Sequence, residues 1–161
     1  MPHTRSLLRV ACRLTSDTAS AEDLIQETLL LAWRGFHQFR AGSNARAWLF
    51  KILLNEFRAR ARKGRFGPTT VPLTFELDAH AQLPDTAAAV EMSQALQNLT
   101  LEHRTVLLLG VVEGFTCQEM AEILATPVGT VMSRLSRARQ ALRSRLAAAA
   151  PRYMRVKGEA S

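Results

Sequence analysis

The stretch TCQEMAEILATPVGTVMSRLSRARQALRSRL, residues 116–146, decides the fold of this chain. It begins with Thr116 and Glu119 at the T-x-x-E spacing of a capping box, in which each side chain binds the other residue's backbone amide at a helix start. Apolar residues at i, i+3, i+4 and i+7 follow and predict a short helix with one buried face. Thr126 as N-cap and Pro127 in the first turn then suit the start of a second helix, about three residues later. We therefore predict a helix-turn-helix.

The second helix of this pair has an apolar stripe and a basic face. Residues 128–146 contain five arginines and no acidic residue. The apolar stripe consists of Val128, Val131, Leu135, Ala138 and Leu142. Small hydroxyl residues near the helix start allow close approach to a DNA groove, and arginines reach phosphates or the edge of guanine. The alternative is a solvated basic helix in a bundle, although such a helix normally mixes acidic residues among its bases.

Helical periodicity also marks the amino-terminal part. Apolar spacing predicts three helices, over residues 5–15, 21–35 and 45–63. Ser20 is the expected N-cap of the second helix, and Asn44 or Ser43 that of the third. Trp33 and Trp48 are expected to lie in the core rather than to serve as stacking platforms. The expected core stripe of the second helix is Ile25, Leu29, Ala32 and Phe36.

Residues 64–86 separate two helical parts. Glycine and proline punctuate this stretch and no periodicity persists in it, so it reads as a linker. Helices are expected from Thr86 to Asn98 and, capped by Thr100 and stopped by Gly114, from Leu101 to Glu113. We predict an all-α protein of two small helical domains, residues 1–63 and 87–146, joined by a flexible linker, with residues 147–161 as a tail.

The charge distribution agrees with this division. The chain of 161 residues has a net charge of +7. Residues 1–63 carry 11 basic and 5 acidic groups, whereas residues 64–98 carry 1 and 4. Two basic blocks on either side of an acidic connector suggest two modules that face nucleic acid.

Several other functional classes find no support in the sequence. Cys12 and Cys117 are far apart and are expected to be buried thiols, and the four histidines lack ligand spacing, so no metal or cofactor is expected. No nucleophile–base pair or phosphate loop points to an enzyme. Neither a signal peptide nor a run of about 18 apolar residues is visible, so we expect no membrane insertion and a cytoplasmic location.

Two stretches resemble one known family. Residues 101–146 are similar to the promoter −35-reading region 4 of extracytoplasmic-function (ECF) sigma factors, above all in PVGTVxSRLxRAR at residues 127–139. Residues 21–63 are similar to region 2 of the same family, with DLIQE at 23–27, RAWL at 46–49 and Asn55 among the shared marks. The resemblance implies a non-enzymatic protein that binds core RNA polymerase and places it on promoter DNA.

The resemblance also implies contact residues in region 2. A helix face would bind the clamp helices of the largest polymerase subunit, and its residues, spaced as one exposed stripe around Leu30, are Asp23, Gln26, Glu27, Leu30 and Arg34. Asn55 matches the family's base-pocket asparagine at the −10 element, where unstacked bases enter pockets and basic residues hold the strand. The full −10 set is Phe39, Arg40, Asn55, Arg58, Arg60, Arg62 and Lys63.

Region 4 would read the −35 element through the second helix of the helix-turn-helix. The expected contact residues, of which the last two would meet phosphates, are Thr130, Ser133, Arg134, Ser136, Arg137, Arg139 and Arg143. Two positions depart from the family pattern. Met132 stands where the family usually has lysine or arginine, and Ala125 replaces the usual turn glycine, so strain is expected there if its φ is positive.

Partners follow from the same resemblance. Besides core RNA polymerase and promoter DNA, it implies an anti-sigma factor that sequesters the protein until a stress or envelope signal arrives. The alternative is a stand-alone helix-turn-helix regulator that binds duplex DNA without polymerase. The exposed stripe around Leu30 and the matching Asn55 would have no purpose in that alternative. An enzyme or a scaffold is the third and least supported reading.

Overall fold

A computed structural model describes residues 3–15, 17–64 and 86–158, with side chains in the last range for residues 88–148. These residues form helices and contain no β-strand, as the all-α prediction requires. The elements are α1 (Thr4–Leu14), α2 (Thr18–Arg34), a 3-10 turn (Phe36–Gln38), α3 (Ala45–Arg62), α4 (Thr86–Gln97), α5 (Leu101–Leu107), a π turn (Leu108–Val112), α6 (Cys117–Leu124) and α7 (Val128–Gly158).

The amino-terminal half is a bundle of α1, α2 and α3, in which each helix packs against the other two. Leu7, Leu24, Phe50 and Leu53 are fully buried at its centre. Burial of one such side chain contributes about 1.5–3 kcal/mol, so this apolar core is the main force that holds the three helices together.

Helix α2 begins earlier than the sequence predicted. Its N-cap is Asp17, whose carboxylate accepts hydrogen bonds from the Ser20 backbone amide at 2.8 Å and from the Ser20 hydroxyl at 2.7 Å. The prediction of Ser20 as N-cap was therefore wrong, because Ser20 occupies the third helical position and donates to the cap. The predicted caps Asn44 of α3 and Thr100 of α5 are confirmed.

The carboxy-terminal half packs α4, α5 and α6 against α7. Met120, Ile123, Val131 and Ala138 are buried where α6 and α7 cross. Gly110 sits over this crossing, and a Cβ added to it would lie 3.2 Å from the Met120 Cε atom. A side chain at position 110 would therefore require the end of the Met120 side chain to shift by a few tenths of an ångström.

The single helix predicted from Leu101 to Glu113 is not continuous. After Leu107 the backbone widens into the π turn, in which the Glu113 amide donates to the Leu108 carbonyl. Gly114 ends the segment with φ +71°, so the predicted stop is confirmed. Such turns are rare and often occur at functional sites, and this one directs Glu113 and Phe115 into the interior of the molecule.

The turn of the helix-turn-helix is a Schellman motif around Ala125. Ala125 has φ 49° and ψ 48°, in the left-handed region that favours glycine. The Thr126 amide donates to the Ala121 carbonyl at 3.0 Å, and the Ala125 amide to the Glu122 carbonyl at 3.4 Å. The expected positive φ at this position is thus confirmed. The Thr126 hydroxyl donates to the Leu124 carbonyl rather than capping α7.

The two halves pack against each other. Helix α3 contacts α6, and α1 contacts α5. The Phe50 and Phe115 rings meet edge to face with centroids 5.2 Å apart, and buried residues of both halves form one continuous apolar cluster. The described part of the chain is therefore a closed arrangement.

Two predicted segments lie at the margins of the structure. Of the linker at residues 64–86, all but the two end residues falls outside the described residues. Part of the predicted tail, residues 147–158, continues α7 as helix. Among the described residues, no helix is both long and apolar enough to cross a membrane.

Candidate functional surfaces

One outward face of α2 gathers the residues predicted to bind polymerase. Asp23, Gln26 and Arg34 are exposed and Glu27 is half-buried. Leu30 lies among them with 40% of its surface exposed. The opposite face of the helix is buried against α1 and α3, so this α2 face is a free surface with an apolar centre and a charged border.

Trp33 extends the α2 face, contrary to the prediction that it lies in the core. It is 79% exposed, and Phe36 beyond it is 65% exposed. The buried stripe of α2 is rotated from the predicted one and consists of Ala21, Leu24, Ile25, Thr28 and Ala32. Trp33 falls three residues after Leu30, on the same side of the helix. That spacing was the signal from which its exposure could have been predicted.

An exposed ridge on α3 carries the central −10 candidate. Trp48, Asn55 and Arg62 are seven residues apart, so they align along one side of the helix over about 21 Å. Asn55 and Arg62 are exposed and Trp48 is half-buried. At the ridge's amino-terminal end, the Phe39 ring packs on Trp48 with centroids 5.2 Å apart, which places the predicted loop residue Phe39 beside the ridge.

The basic residues of the −10 set differ in their surroundings. Arg40, Arg62 and Lys63 are exposed, and Arg58 is half-buried. Arg60 is held within the protein, because its Nε pairs with Glu56 at 2.8 Å and its Nη2 donates to the Asp23 carbonyl at 3.3 Å. Arg60 therefore links the ridge on α3 to the start of the α2 face.

The first turns of α7 present the predicted −35 set. Its exposed members are Ser133, Ser136, Arg137, Arg139 and Arg143, while Thr130 and Arg134 are half-buried. The Ser133 hydroxyl donates to the Thr130 carbonyl. Arg134 leans towards α5, where its guanidinium lies 3.4 Å from the Glu102 carboxylate.

Two apolar side chains interrupt this basic surface. Met132 is 57% exposed and Val128 is 40% exposed. Val128 therefore does not belong to the buried stripe of α7, as the sequence had predicted. A Cβ added to Gly129 would meet no heavy atom of another part of the described structure within 4 Å, so the helix start between them is open. Exposed apolar groups at a recognition helix suit contact with the methyl group of thymine.

A buried carboxylate lies at the junction of the two halves. The Glu113 side chain is inaccessible to solvent and pairs with Arg9 at 2.8 Å and Arg46 at 2.6 Å. Burial raises the pKa of Glu113, but hydrogen bonds from Arg9 and Arg46 outweigh it and hold that pKa below its ordinary value. Burial lowers the pKa of the neighbouring Arg13, whose Nη1 is buried without a hydrogen-bond partner.

Models of known families match both halves of the chain. The model of sigma-70 region 2 matches residues 1–66, and that of sigma-70 region 4 matches residues 89–142. The chain belongs to the sigma-70 family of sigma factors.

Curated relatives place this sigma factor among the ECF members of that family. It is 37% identical over 140 residues to the ECF RNA polymerase sigma factor EcfG of Rhodopseudomonas palustris, covering 85% of this chain and 77% of that one. It is 37% identical over 148 residues to the ECF RNA polymerase sigma factor SigL of Mycobacterium tuberculosis, with 88% and 82% covered. The protein is an ECF sigma factor that acts in transcription initiation.

Solved structures of sigma factors share its fold. The sigma factor RpoE of Bartonella quintana, crystallised with the anti-sigma factor NepR, matches with a TM-score of 0.72 and 34% identity over 89% of this chain and 91% of that one. CnrH in complex with the cytosolic domain of CnrY matches with a TM-score of 0.68 and 26% identity, covering 91% and 84%.

In this sigma factor the predicted site residues fall on separate surfaces. The α2 face and the α3 ridge belong to one half, and the basic surface of α7 belongs to the other. Sequence reasoning missed the exposed Trp33 and the junction of Glu113 with Arg9 and Arg46. For that junction the sequence carried no signal, because its members are 104 and 67 residues apart. Cys12 is buried as predicted, and burial raises the pKa of its thiol, whereas Cys117 is only half-buried, contrary to the prediction.

Proposed function

We propose that the two halves divide promoter recognition between them. Residues 1–63 would act as region 2, binding polymerase and the −10 element, and residues 87–146 as region 4, binding the −35 element. The linker of residues 64–86 would join them. The observation that carries this proposal is the outward basic surface of α7, which includes Arg137 and Arg139 and contains no acidic residue from 128 to 146.

At the −35 element, the start of α7 would enter the major groove. Ser133 and Ser136 are exposed and small, so the helix backbone can approach the bases closely. Arg137 lies on the same side and reaches a guanine edge, whereas Arg139 and Arg143 meet phosphates. Arg134 must leave Glu102 before it can bind DNA, and their 3.4 Å ion pair at a solvent-exposed carboxylate is weak. Thr130 completes the set.

At the −10 element, the α3 ridge would hold the separated strand. The exposed amide of Asn55 can pair with a base edge, and the aromatic pair of Phe39 and Trp48 closes the ridge at one end. Phosphate contacts would come from the basic residues of this surface: Arg40, Arg58, Arg60, Arg62 and Lys63. Arg60 would also keep the ridge in register with α2 through its hydrogen bond to the Asp23 carbonyl.

The α2 face would dock on the clamp helices of core RNA polymerase. Its centre is Leu30 and Trp33, and its border is Asp23, Gln26, Glu27 and Arg34. An exposed tryptophan beside an exposed leucine, surrounded by charge, is the composition of an interface hot spot.

Regulation and location follow by analogy. Two structural neighbours are bound to an anti-sigma factor or to the cytosolic domain of a partner protein. We expect an anti-sigma factor to sequester this chain in the same way under a stress or envelope response. A protein that acts with RNA polymerase works in the cytoplasm, and it acts by binding rather than by catalysis.

Run-off transcription tests the promoter contacts. Purified bacterial core RNA polymerase would transcribe DNA from upstream of this protein's own gene, with wild-type protein, Asn55→Ala or Arg137→Ala. Transcripts should require the protein and fall by about 10-fold or more with either substitution. The controls are Asn98→Ala and Arg5→Ala, which remove the same groups from exposed positions outside the proposed sites. Equal loss in a control, or no loss in either site variant, contradicts the assignment.

Binding to core polymerase tests the α2 face. Leu30→Glu should weaken the affinity by about 30-fold or more, because it places a charge at the centre of the interface. The matched control is Val90→Glu, since Val90 on α4 is 41% exposed and Leu30 is 40% exposed. Fluorescence anisotropy of labelled protein titrated with core polymerase measures both. If the two variants bind equally well, polymerase docks elsewhere.

A further inference from the structure

Glu113 contributes a carboxylate from the carboxy-terminal half to a binding site made by the amino-terminal half. Arg9 donates to it through Nε at 2.8 Å and Nη2 at 3.3 Å. Arg46 Nη2 donates to the carboxylate at 2.6 Å and to the Glu113 carbonyl at 2.7 Å. The Ser6 hydroxyl oxygen accepts a further hydrogen bond from Arg9 Nη2 at 3.3 Å. All these partners lie on α1 and α3, so the carboxylate binds across the junction rather than within its own half.

Further contacts surround this ion pair. The Arg46 guanidinium lies 4.3 Å from the centroid of the Phe115 ring, which also packs against Phe50. Beside it, Asn44 Nδ2 donates to Glu119 Oε1 at 2.9 Å. Charged, aromatic and polar contacts therefore meet on one side of α3, and they join its amino-terminal end to the entrance of the helix-turn-helix.

The closed arrangement cannot serve both promoter elements at once. Elements about 25 base pairs apart lie about 85 Å apart along B-form DNA. A compact chain of this length has a radius of gyration of about 15 Å, and so a diameter of about 40 Å. Hence the α3 ridge and the α7 surface must separate before the protein can contact both elements, and this step breaks the bonds of Glu113 to Arg9 and Arg46.

We propose that Glu113 is an electrostatic latch that holds free protein in a closed form unable to contact both promoter elements at once, and that the latch opens when core RNA polymerase binds. The functional meaning of the latch rests on the proposed division of promoter recognition. The latch itself is a property of the free chain.

The latch depends on charge as well as on shape. In the closed form Arg9 and Arg46 are largely covered, and Arg13 adds a third cation behind them, so a single carboxylate balances the group. Neutralising Glu113 leaves covered cations without an anion, whereas in the open form the same arginines are hydrated. Glu113→Gln should therefore reduce the closed-to-open ratio by about 100-fold or more.

Small-angle X-ray scattering of the free full-length protein tests the latch. Glu113→Gln should increase the radius of gyration by about a third or more, because two bodies of half the size move apart. The charge-matched control is Glu122→Gln, at an exposed position on α6 that leaves the junction intact. Circular dichroism should show unchanged helix content. If Glu113→Gln leaves the radius unchanged, or if Glu122→Gln increases it as much, the latch is refuted.

Two further variants cover a folding failure and a purely steric effect. If Glu113→Gln loses helix content, Arg9→Gln decides, because it removes the opposite partner from a site one-third exposed on α1. It should expand the protein, and a compact Arg9→Gln refutes the latch. Adding Arg46→Gln to Glu113→Gln removes a covered charge and should partly restore the compact form. If the double variant has the same expanded radius of gyration as Glu113→Gln alone, charge does not hold the halves together.

The kinetics of binding to core polymerase test whether the latch matters for function. Stopped-flow anisotropy should show that Glu113→Gln associates about 10-fold or more faster than the wild type at equal concentrations, because the open form is already populated. Equal rates, with the expansion present, show that closure is no barrier and overturn the regulatory role. The scattering result needs neither polymerase nor DNA, so it separates failure of the latch from failure of the promoter assignment.

Discussion

Replacement of Ala125 by glycine should stabilise the protein, although glycine usually destabilises helical proteins. Ala125 occupies the left-handed position of the Schellman turn with φ 49°. That conformation costs an alanine about 1–2 kcal/mol, and glycine avoids the cost. Ala125 is exposed, so the substitution loses no packing. Against this gain stands the greater freedom of glycine in the unfolded chain, worth about 0.4–1 kcal/mol.

The net expectation is a gain of about 0.5–1 kcal/mol in the free energy of unfolding. For a chain of this size that corresponds to a Tm about 2 °C higher. The matched control is Ala147→Gly, at an exposed position inside α7 with ordinary helical geometry. There the same substitution should cost about 1 kcal/mol and lower the Tm.

Thermal and urea unfolding, both followed by circular dichroism at 222 nm, would measure the two variants side by side. The reasoning requires opposite signs, with Ala125→Gly above the wild type and Ala147→Gly below it. A decrease of similar size in both variants would show that the turn tolerates alanine without strain. The missing family glycine would then have no energetic consequence.

Three other outcomes are expected. Asp17→Ala should remove an N-cap worth about 1 kcal/mol at pH 7. Hydrogen bonds from the Ser20 amide and then from its hydroxyl lower the pKa of Asp17, so the difference from wild type in urea unfolding should shrink as the pH falls below about 4. A difference in the free energy of unfolding that persists at pH 2 contradicts this. Arg139→Gln should reduce by about 1 the slope of the logarithm of the −35 duplex affinity against the logarithm of salt concentration, measured between 50 and 200 mM salt. A change in sequence preference without a change in this slope would show that Arg139 contacts a base instead of a phosphate. Trp33→Ala should weaken core polymerase binding by about 30-fold. The tryptophan emission of the wild-type protein should shift to shorter wavelength when it docks on polymerase. If the emission does not shift, Trp33 stays in water.

Much of the fold could be predicted because its signals are local. The capping box at Thr116 and Glu119, the caps Asn44 and Thr100 and the stop at Gly114 each involve residues a few positions apart. Local hydrogen bonds fix them, so spacing in the sequence identifies them directly.

Other features could not be predicted because the tertiary structure decides them. Thr28 is fully buried on α2, with its hydroxyl donating to the Leu24 carbonyl at 2.7 Å. A threonine that satisfies its own hydroxyl can occupy a core position, and this rotates the buried stripe and turns Trp33 outwards. Likewise, the π turn places Glu113 against α1 and α3, and no local pattern distinguishes such a turn from an ordinary helix end.

The candidate DNA-binding surface of α7 also contains residues whose exposure was predictable from the sequence and residues whose exposure was not. The exposed serines and arginines of α7 were predictable, because a helix with an apolar stripe must turn its remaining residues to solvent. The exposure of Val128 was not, because it depends on where α6 stops covering the start of α7. The roles of these residues in DNA binding stay predictions.

Asn44 and Glu119 each make a hydrogen bond within a helix start and a hydrogen bond to each other, and this affects the cooperativity of thermal unfolding. Asn44 accepts the Ala47 amide at the start of α3 while it donates to Glu119, and Glu119 accepts the Thr116 amide at the start of α6. Loosening one helix start therefore weakens the other. Together with the shared apolar cluster, this couples the halves into one cooperative unit. The closed form should accordingly unfold in a single calorimetric transition, whereas a chain whose halves have separated should show two.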